Sequence, residues 1–366
     1  MSFLWAEVSE WGTLAQPVFI SRANIPRSMS KSTAILASVL ASLTIIASPL
    51  CSGQASAVPA LPEKVIIDTD IGDDIDDAFA LALALRSPEL QIIGVTTTFG
   101  DTETRAKLVD RFLAEVGRPD IPVAAGTPTV SKGTFTQRRY AEGGHYAKPS
   151  HPDAVGFVLE QINRYPGQVT LIAIGPLMNV GAAIDKDAAT FRKLKRVVMM
   201  GGSIKRGYGD LGYTPPLGPQ PEWNILNDIP SAQKLFASGV PLFVMPLDST
   251  QLKLDEVKRA FLFGQGNPFT DVLTLLYHQW GQETPTLFDP MTIAFLVNPS
   301  LCPVQPMRIR VDERGFTRPE PGPPNAPNIP NAPDPPNSLN APNAQVCLDS
   351  NPDAFFRFLL PRLAAP

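Results

Sequence analysis

From residue 64 onward the chain alternates between short runs that are apolar throughout and longer segments that read as helices. Lys64–Asp68 (KVIID), Gln91–Thr97 (QIIGVTT), Ile121–Ala124, Gln168–Ile174 (QVTLIAI), Val197–Met200 and Val240–Met245 are of the first kind. They are too short for helices and too apolar for half-exposed strands. Asp77–Arg86 (DAFALALALR), Thr102–Val116, a segment near Asp153–Arg164, Ser231–Ala237 and Leu254–Phe263 are of the second kind. Strands buried on both faces and separated by helices predict one α/β domain with a mainly parallel sheet covered by helices on both sides. In such sheets ligands bind beyond the carboxyl ends of the strands, so the residues after each strand are the candidates for chemistry.

Two stretches break the alternation. Met29-Ser30-Lys31-Ser32-Thr33, the apolar run Ala34 to Leu50, and Ala55-Ser56-Ala57 have the three parts of a secretory signal cleaved after Ala57. Residues 1–57 are therefore expected to be an N-terminal extension and signal peptide, with translation starting at Met29 and the mature protein exported to the periplasm or medium. The run is short for a membrane span and Pro49 interrupts it, so no stable span is expected. The second stretch accounts for an excess of proline: ten of the 39 prolines fall between Pro319 and Pro342, in a degenerate Pro-Asn-Ala repeat with almost nothing to bury. The resulting division is a domain over 62–318, a Pro/Asn-rich insertion over 319–343, and a strand and helix over 344–366 that complete the domain. Cys302 and Cys347 remain after cleavage, and in an oxidising compartment they either form one disulfide closing that insertion or stay as buried thiols.

Charge narrows the function. The chain has 31 Lys+Arg against 35 Asp+Glu, a net −4, which offers no field for a nucleic-acid polymer. Six of those acids stand within ten residues, in Asp68-Thr69-Asp70-Ile71-Gly72-Asp73-Asp74-Ile75-Asp76-Asp77, directly after the first strand. A helix N-cap at Asp76 or Asp77 explains one of them. Packing the rest together costs several kcal/mol unless a cation neutralises them, and an all-oxygen ligand set suits calcium or magnesium. An EF-hand loop does not fit, because Asp73 and Phe79 stand where glycine and glutamate would be required. A phosphatase of the haloacid dehalogenase type, with Asp68 as nucleophile and Asp70 as acid, also begins with a strand and Asp-x-Asp but has no need of the Asp76-Asp77 pair.

Further motifs follow later strands: Thr96-Thr97-Thr98-Phe99-Gly100-Asp101, Gly175-Pro176-Leu177-Met178-Asn179, Met199-Met200-Gly201-Gly202, Glu222-Trp223-Asn224 and Phe288-Asp289-Pro290. Together and in this order they resemble the calcium-dependent, inosine-uridine preferring nucleoside hydrolases over roughly Lys64 to Ser300. The resemblance implies a Rossmann-like fold and hydrolysis of a ribonucleoside, or a related N-riboside, to base and ribose. It implies a Ca2+ cofactor held by Asp70, Asp77, Asp289 and the Ile174 carbonyl, and a calcium-bound water that Asp70 deprotonates. Asp76, Asp101, Met200, Glu222 and Asn224 would hold the substrate, with Asp76, Glu222, Asn224 and Met200 on the ribose hydroxyls. Members often assemble as a homodimer or homotetramer.

The chain departs from the family's pattern at several positions. Two extra residues separate Asp70 from Asp76, which leaves Asp74 as a rival ligand. Asp101 stands where many members have asparagine. Phe288 stands where purine- and uridine-active members often carry a histidine that protonates the leaving base, and no asparagine occurs in Pro215–Pro221. His145 and His278 are the candidates for a surrogate acid, and Tyr277, His278, Trp280 and Phe288 for the base pocket. The alternative reading is a non-catalytic, exported nucleoside- or sugar-binding protein that keeps the calcium pocket. Asp248 is expected either to cap a helix or to serve the site.

Overall fold

The computed structural model describes residues 61–131, 133–143, 148, 150–211, 217–320 and 341–366. The expected signal peptide, His145 and most of the Pro/Asn-rich insertion lie outside the described residues.

The main sheet has eight strands in the order β3-β2-β1-β4-β5-β6-β12-β9. They are β1 (Glu63–Thr69), β2 (Leu90–Thr97), β3 (Val123–Ala125), β4 (Val169–Ala173), β5 (Arg196–Met200), β6 (Leu242–Met245), β9 (Val304–Met307) and β12 (Ala344–Cys347). Every neighbouring pair is parallel except β12 with β9, the antiparallel edge. Two short antiparallel ribbons lie apart from it, β7 (Leu252–Lys253) with β8 (Thr286–Leu287) and β10 (Ile309–Val311) with β11 (Thr317–Pro319).

Strand side chains alternate between the two faces. Val65 and Ile67 enter one core, with α1 (Asp76–Leu85), α2 (Thr102–Glu115), α10 (Pro268–Trp280), α11 (Pro290–Val297) and α12 (Pro352–Ala364). Ile66 enters the other, with α4 (Ala154–Arg164), α5 (Met178–Phe191) and α7 (Ile229–Ala237). Shorter helices complete the chain: α3 (Arg138–Glu142), α6 (Trp223–Leu226), α8 (Leu247–Thr250) and α9 (Glu256–Phe263). This is the predicted class, a mainly parallel α/β sheet covered on both faces. None of the described helices is long and apolar enough to cross a membrane.

The predicted elements appear with ends moved by at most two residues. A disulfide joins Cys302, after the 3-10 turn Pro299–Leu301, to Cys347 of β12 across a separation of 45 residues, and both cysteines are fully buried. Of the two states open for these cysteines, the bridged one is present.

The order of strands explains where the site lies. The chain runs outward from β1 through β2 to β3, then crosses back to β4 on the other side of β1. The carboxyl ends of β1 and β4 therefore flank a topological switch point, where neighbouring connections diverge and leave a crevice.

Candidate active site

A cavity of about 440 Å³ opens at this switch point. Asp70, Asp74, Asp76, Asp77, Ile174, Met200, Glu222, Asn224, Phe288 and Asp289 all line it, together with Tyr208, Trp223 and Trp280. They come from the ends of β1, β4 and β5, the first turns of α1 and α6, the connection after β5, the end of α10 and the junction before α11. A larger groove of about 1260 Å³ runs along α7, β6 and β10, away from the carboxylates.

The loop after β1 carries most of the charge. Helix α1 begins at Asp76, with Ile75 as its N-cap and no side-chain cap bond. The expected capping role of Asp76 or Asp77 is therefore corrected: both sit inside the first turn, where the helix dipole favours carboxylates, and both line the cavity instead. The Thr69 hydroxyl donates to Asp77 Oδ1. The backbone N–H groups of Phe288 and Asp289 donate to Asp76 Oδ2 at 3.2 and 3.4 Å, which ties the start of α11 to the start of α1. Gly175 is dictated by this crowding. A Cβ there would lie 2.8 Å from the Asp70 nitrogen and 2.9 Å from its Oδ1, so only glycine lets β4 end against Asp70.

Carboxylate oxygens of Asp76, Asp77 and Asp289 lie within 4.8 Å of one another, and all three residues are buried. Burial first, and then repulsion from the neighbouring aspartates, holds each of their carboxyls well above the usual carboxylate range. Carboxyls gathered this closely are relieved by a shared proton or by a cation between them. Hard oxygen donors in this number fit a group 2 cation, and the carboxylates close enough together to hold one are those of Asp76, Asp77 and Asp289. Asp70 borders the same space. Burial pushes its carboxyl up to about 7, with Asp73 adding to the rise and Arg105 opposing it.

The opposite wall is organised by Glu222. Its Oε1 accepts from Asn224 N (2.9 Å), and its Oε2 accepts from Gly202 N (2.9 Å) and Ile225 N (3.2 Å). It thus caps α6 and ties that helix to the end of β5. Burial pushes Glu222 up to about 7, with these backbone donors pulling the other way. Asn224 Nδ2 donates to the carbonyls of Ile174 and Met200, each at 3.2 Å, linking the ends of β4 and β5. The remaining wall is aromatic. The rings of Tyr208 and Phe288 meet edge-to-face at 6.1 Å, and Trp280 is 7% exposed. One end of the cavity thus offers acceptors for cations and hydroxyls, and the other offers apolar planes for a flat ring.

Some expected residues are placed elsewhere. Asp101 caps α2 through Thr104 N (3.1 Å) and pairs with Arg138 (2.9 Å), so it is spent on the helix and does not line the cavity. Tyr277 gives its hydroxyl to the Glu283 carbonyl (2.8 Å) and packs against Phe263. His278 is exposed on the outer side of α10. Successive helical residues diverge by about 100°, so when Trp280 faces the cavity His278 faces away. Asp248 is neither a cap nor a cavity residue: it accepts from Ile204 N and Lys205 N, both at 2.8 Å, and holds the loop after β5.

Trp223, Tyr208 and Arg105 were not anticipated. Trp223 lies between two candidates in Glu-Trp-Asn, a signal that was readable, whereas nothing local marks the other two.

The family model described as inosine-uridine preferring nucleoside hydrolase matches residues 65–357. Uridine nucleosidase 1 of Arabidopsis thaliana is 32% identical over 292 residues, covering 73% of this chain and 84% of that protein. Pyrimidine-specific ribonucleoside hydrolase RihA of Klebsiella pneumoniae is 34% identical over 268 residues, covering 66% and 81%. Among solved structures, the plant nucleoside hydrolase PpNRh1 superposes with a TM-score of 0.67 at 28% identity, covering 83% of this chain and all of that one. The purine-preferring ribonucleoside hydrolase from Gardnerella vaginalis, at 24% identity and a TM-score of 0.65, shares the fold over 82% of this chain. A parallel sheet with its carboxylates gathered at the switch point, matched over nearly the whole described chain, makes this protein a member of the nucleoside hydrolase family, hydrolases that act on N-glycosyl bonds.

Proposed function

We propose that the protein hydrolyses the N-glycosidic bond of a ribonucleoside, or a related N-riboside, to base and ribose, with Ca2+ as cofactor and Asp70 as general base. The observation that carries this reading is the convergence of Asp70, Asp76, Asp77, Asp289, Glu222 and Asn224 on one cavity, from segments up to 219 residues apart (70 to 289). Asp76, Asp77 and Asp289, with Asp70 and the Ile174 carbonyl bordering the same space, would hold the calcium ion, which supplies charge neutralisation and a more acidic water when bound. Asp70 accepts the proton of the attacking water. Glu222, Asp76 and Asn224, with Met200 beside them, hold the ribose hydroxyls. Their acceptor oxygens also stabilise positive charge as the anomeric carbon gains oxocarbenium character. The aromatic wall of Tyr208, Trp280 and Phe288 receives the base. Phe288 has no proton to give, so it orients the base and does not protonate it.

Relatives named for uridine and pyrimidine ribonucleosides make uridine and cytidine the first substrates to assay. Asp70→Asn is expected to keep the wild-type melting curve and to lower kcat by roughly 10²- to 10⁴-fold, and EDTA to abolish turnover until Ca2+ is restored. Turnover that survives both treatments contradicts the reading. Tight nucleoside binding with no ribose released by the wild type favours the non-catalytic binder instead, for which Phe288 is the motivating residue. Export is part of the same proposal, supported by the signal-like residues 29–57 and the buried Cys302–Cys347 bridge. N-terminal sequencing of the protein from culture supernatant or periplasm is expected to begin at Val58, and an unprocessed cytoplasmic product argues against it.

A further inference from the structure

Arg105 lies in α2, is 1% exposed, and spends its guanidinium on two loops at once. Its Nε–H donates to the Phe99 carbonyl at 2.8 Å, in the loop after β2. Nη1 donates to the carbonyls of Asp70 and of Ile71 (2.9 Å to the latter), and Nη2 donates to Asp73 Oδ2 at 3.0 Å. The face of the guanidinium rests 4.9 Å from the centre of the Phe135 ring. Phe99 has φ of 61°, a left-handed conformation unusual for a residue with a side chain and sustained only where the surroundings impose it.

We propose that Arg105 is a positioning residue for the hydrolysis described above, on whose reading this inference rests: its planar fork grips the carbonyls of Asp70 and Ile71 and so sets where the Asp70 carboxylate stands. A buried arginine that merely filled the core would need one counter-charge, and Asp73 provides it. The three carbonyl contacts go beyond neutralisation, and two of them fall on the residue that acts on the attacking water and on the residue after it. Lysine cannot replace them, because an ammonium is a point charge on a flexible stem and not a fixed fork.

The test uses the full-length protein with R105K and with the double variant R105M/D73N. R105K keeps the charge and is expected to lower kcat for uridine about 10- to 100-fold, with KM within about threefold of wild type. R105M/D73N removes both charges and is expected to approach the wild-type melting temperature without recovering kcat. R105K at wild-type kcat, or kcat restored together with melting temperature in the double variant, overturns the assignment. A second readout does not depend on turnover. Trp223 and Trp280 line the cavity, so Ca2+ titration followed by tryptophan fluorescence is expected to show a midpoint about 10-fold higher in R105K. An unchanged midpoint overturns the assignment. Should the wild type cleave no ribonucleoside, the functional reading fails alone and the midpoints still decide Arg105; a wild type without any Ca2+ response counts against both.

Discussion

Asp76, Asp77 and Asp289 are buried carboxylates gathered at a cost to stability. Their oxygens lie within 4.8 Å of one another, in a setting that disfavours charge through burial and then through mutual repulsion. Removing one charge should therefore relieve the protein when no cation is present and weaken it when one is. Asp289→Asn is expected to raise the melting temperature in EDTA by roughly 2–4 °C, and to melt below the wild type in millimolar Ca2+. Paired thermal melts with and without chelator check this. The same order of stabilities in both buffers would show that the three carboxylates are not a cation site. Asp101 marks the contrary case. The family resemblance implies a substrate contact for it, but it stands directly before α2 and accepts from the backbone N–H of Thr104 instead. Local hydrogen bonds compete with function for the same oxygen.

At the scale of elements, α2 is where several ties meet. Besides Arg105 it carries Glu103 and Asp110, and His151, from the segment leading to α4, is bonded to both: Nδ1 to Glu103 at 2.8 Å and Nε2 to Asp110 at 2.9 Å. Lys148 also reaches Asp110 at 2.9 Å. Burial alone would lower the His151 pKa, but the bonds to Asp110 and Glu103 outweigh it and raise the group above its usual 6.5. A histidine whose folded pKa is raised favours the folded state while it is protonated. Its contribution is full below the unfolded value near 6.5 and is lost as pH rises through the higher folded value. The wild type is therefore expected to lose melting temperature relative to His151→Gln between about pH 6.5 and the alkaline side of that raised value. Parallel melting profiles for the two proteins across that range would remove His151 from the account. The Cys302–Cys347 bridge acts between elements as well, tying the turn after α11 to β12. Replacing both cysteines by alanine is expected to cost about 2–4 kcal/mol in urea unfolding, through the freed unfolded chain. A change under 0.5 kcal/mol would show the bridge to be dispensable for stability.

Over the whole molecule, the fold was readable because parallel strands buried on both faces leave a direct mark, continuous apolar runs such as Val65-Ile66-Ile67 and Val169–Ala173. The candidate site was readable in part for a related reason. Met200 ends a strand and Asp70, Ile174 and Asp76-Asp77 follow one by few residues, and a parallel sheet sends all such positions to one edge. Glu222, Asn224 and Asp289 were marked by short motifs, not by strand ends. Tyr208 had neither signal, since it sits in a long connection after β5 whose course depends on contacts with Trp223 N and Phe288. Tyr277 and His278 failed for a geometric reason. An aromatic-rich helix announces that one face is buried without announcing which residue of that face opens to a cavity, and on α10 the turn of the helix selects Trp280.

Local pattern alone thus determined the alternation of strands and helices, the gathering of acid after β1, and the short motifs that belong to this family, because periodicity and residue type are properties of neighbours in the chain. Tertiary structure decided which of those acids stand within 4.8 Å of one another, that Asp101 belongs to a helix and Trp280 to the cavity, and that one buried arginine reaches both Phe99 and Asp70. Those outcomes depend on distances between segments far apart in sequence. Such distances are set only when the sheet assembles and burial forces each charged group to find a partner.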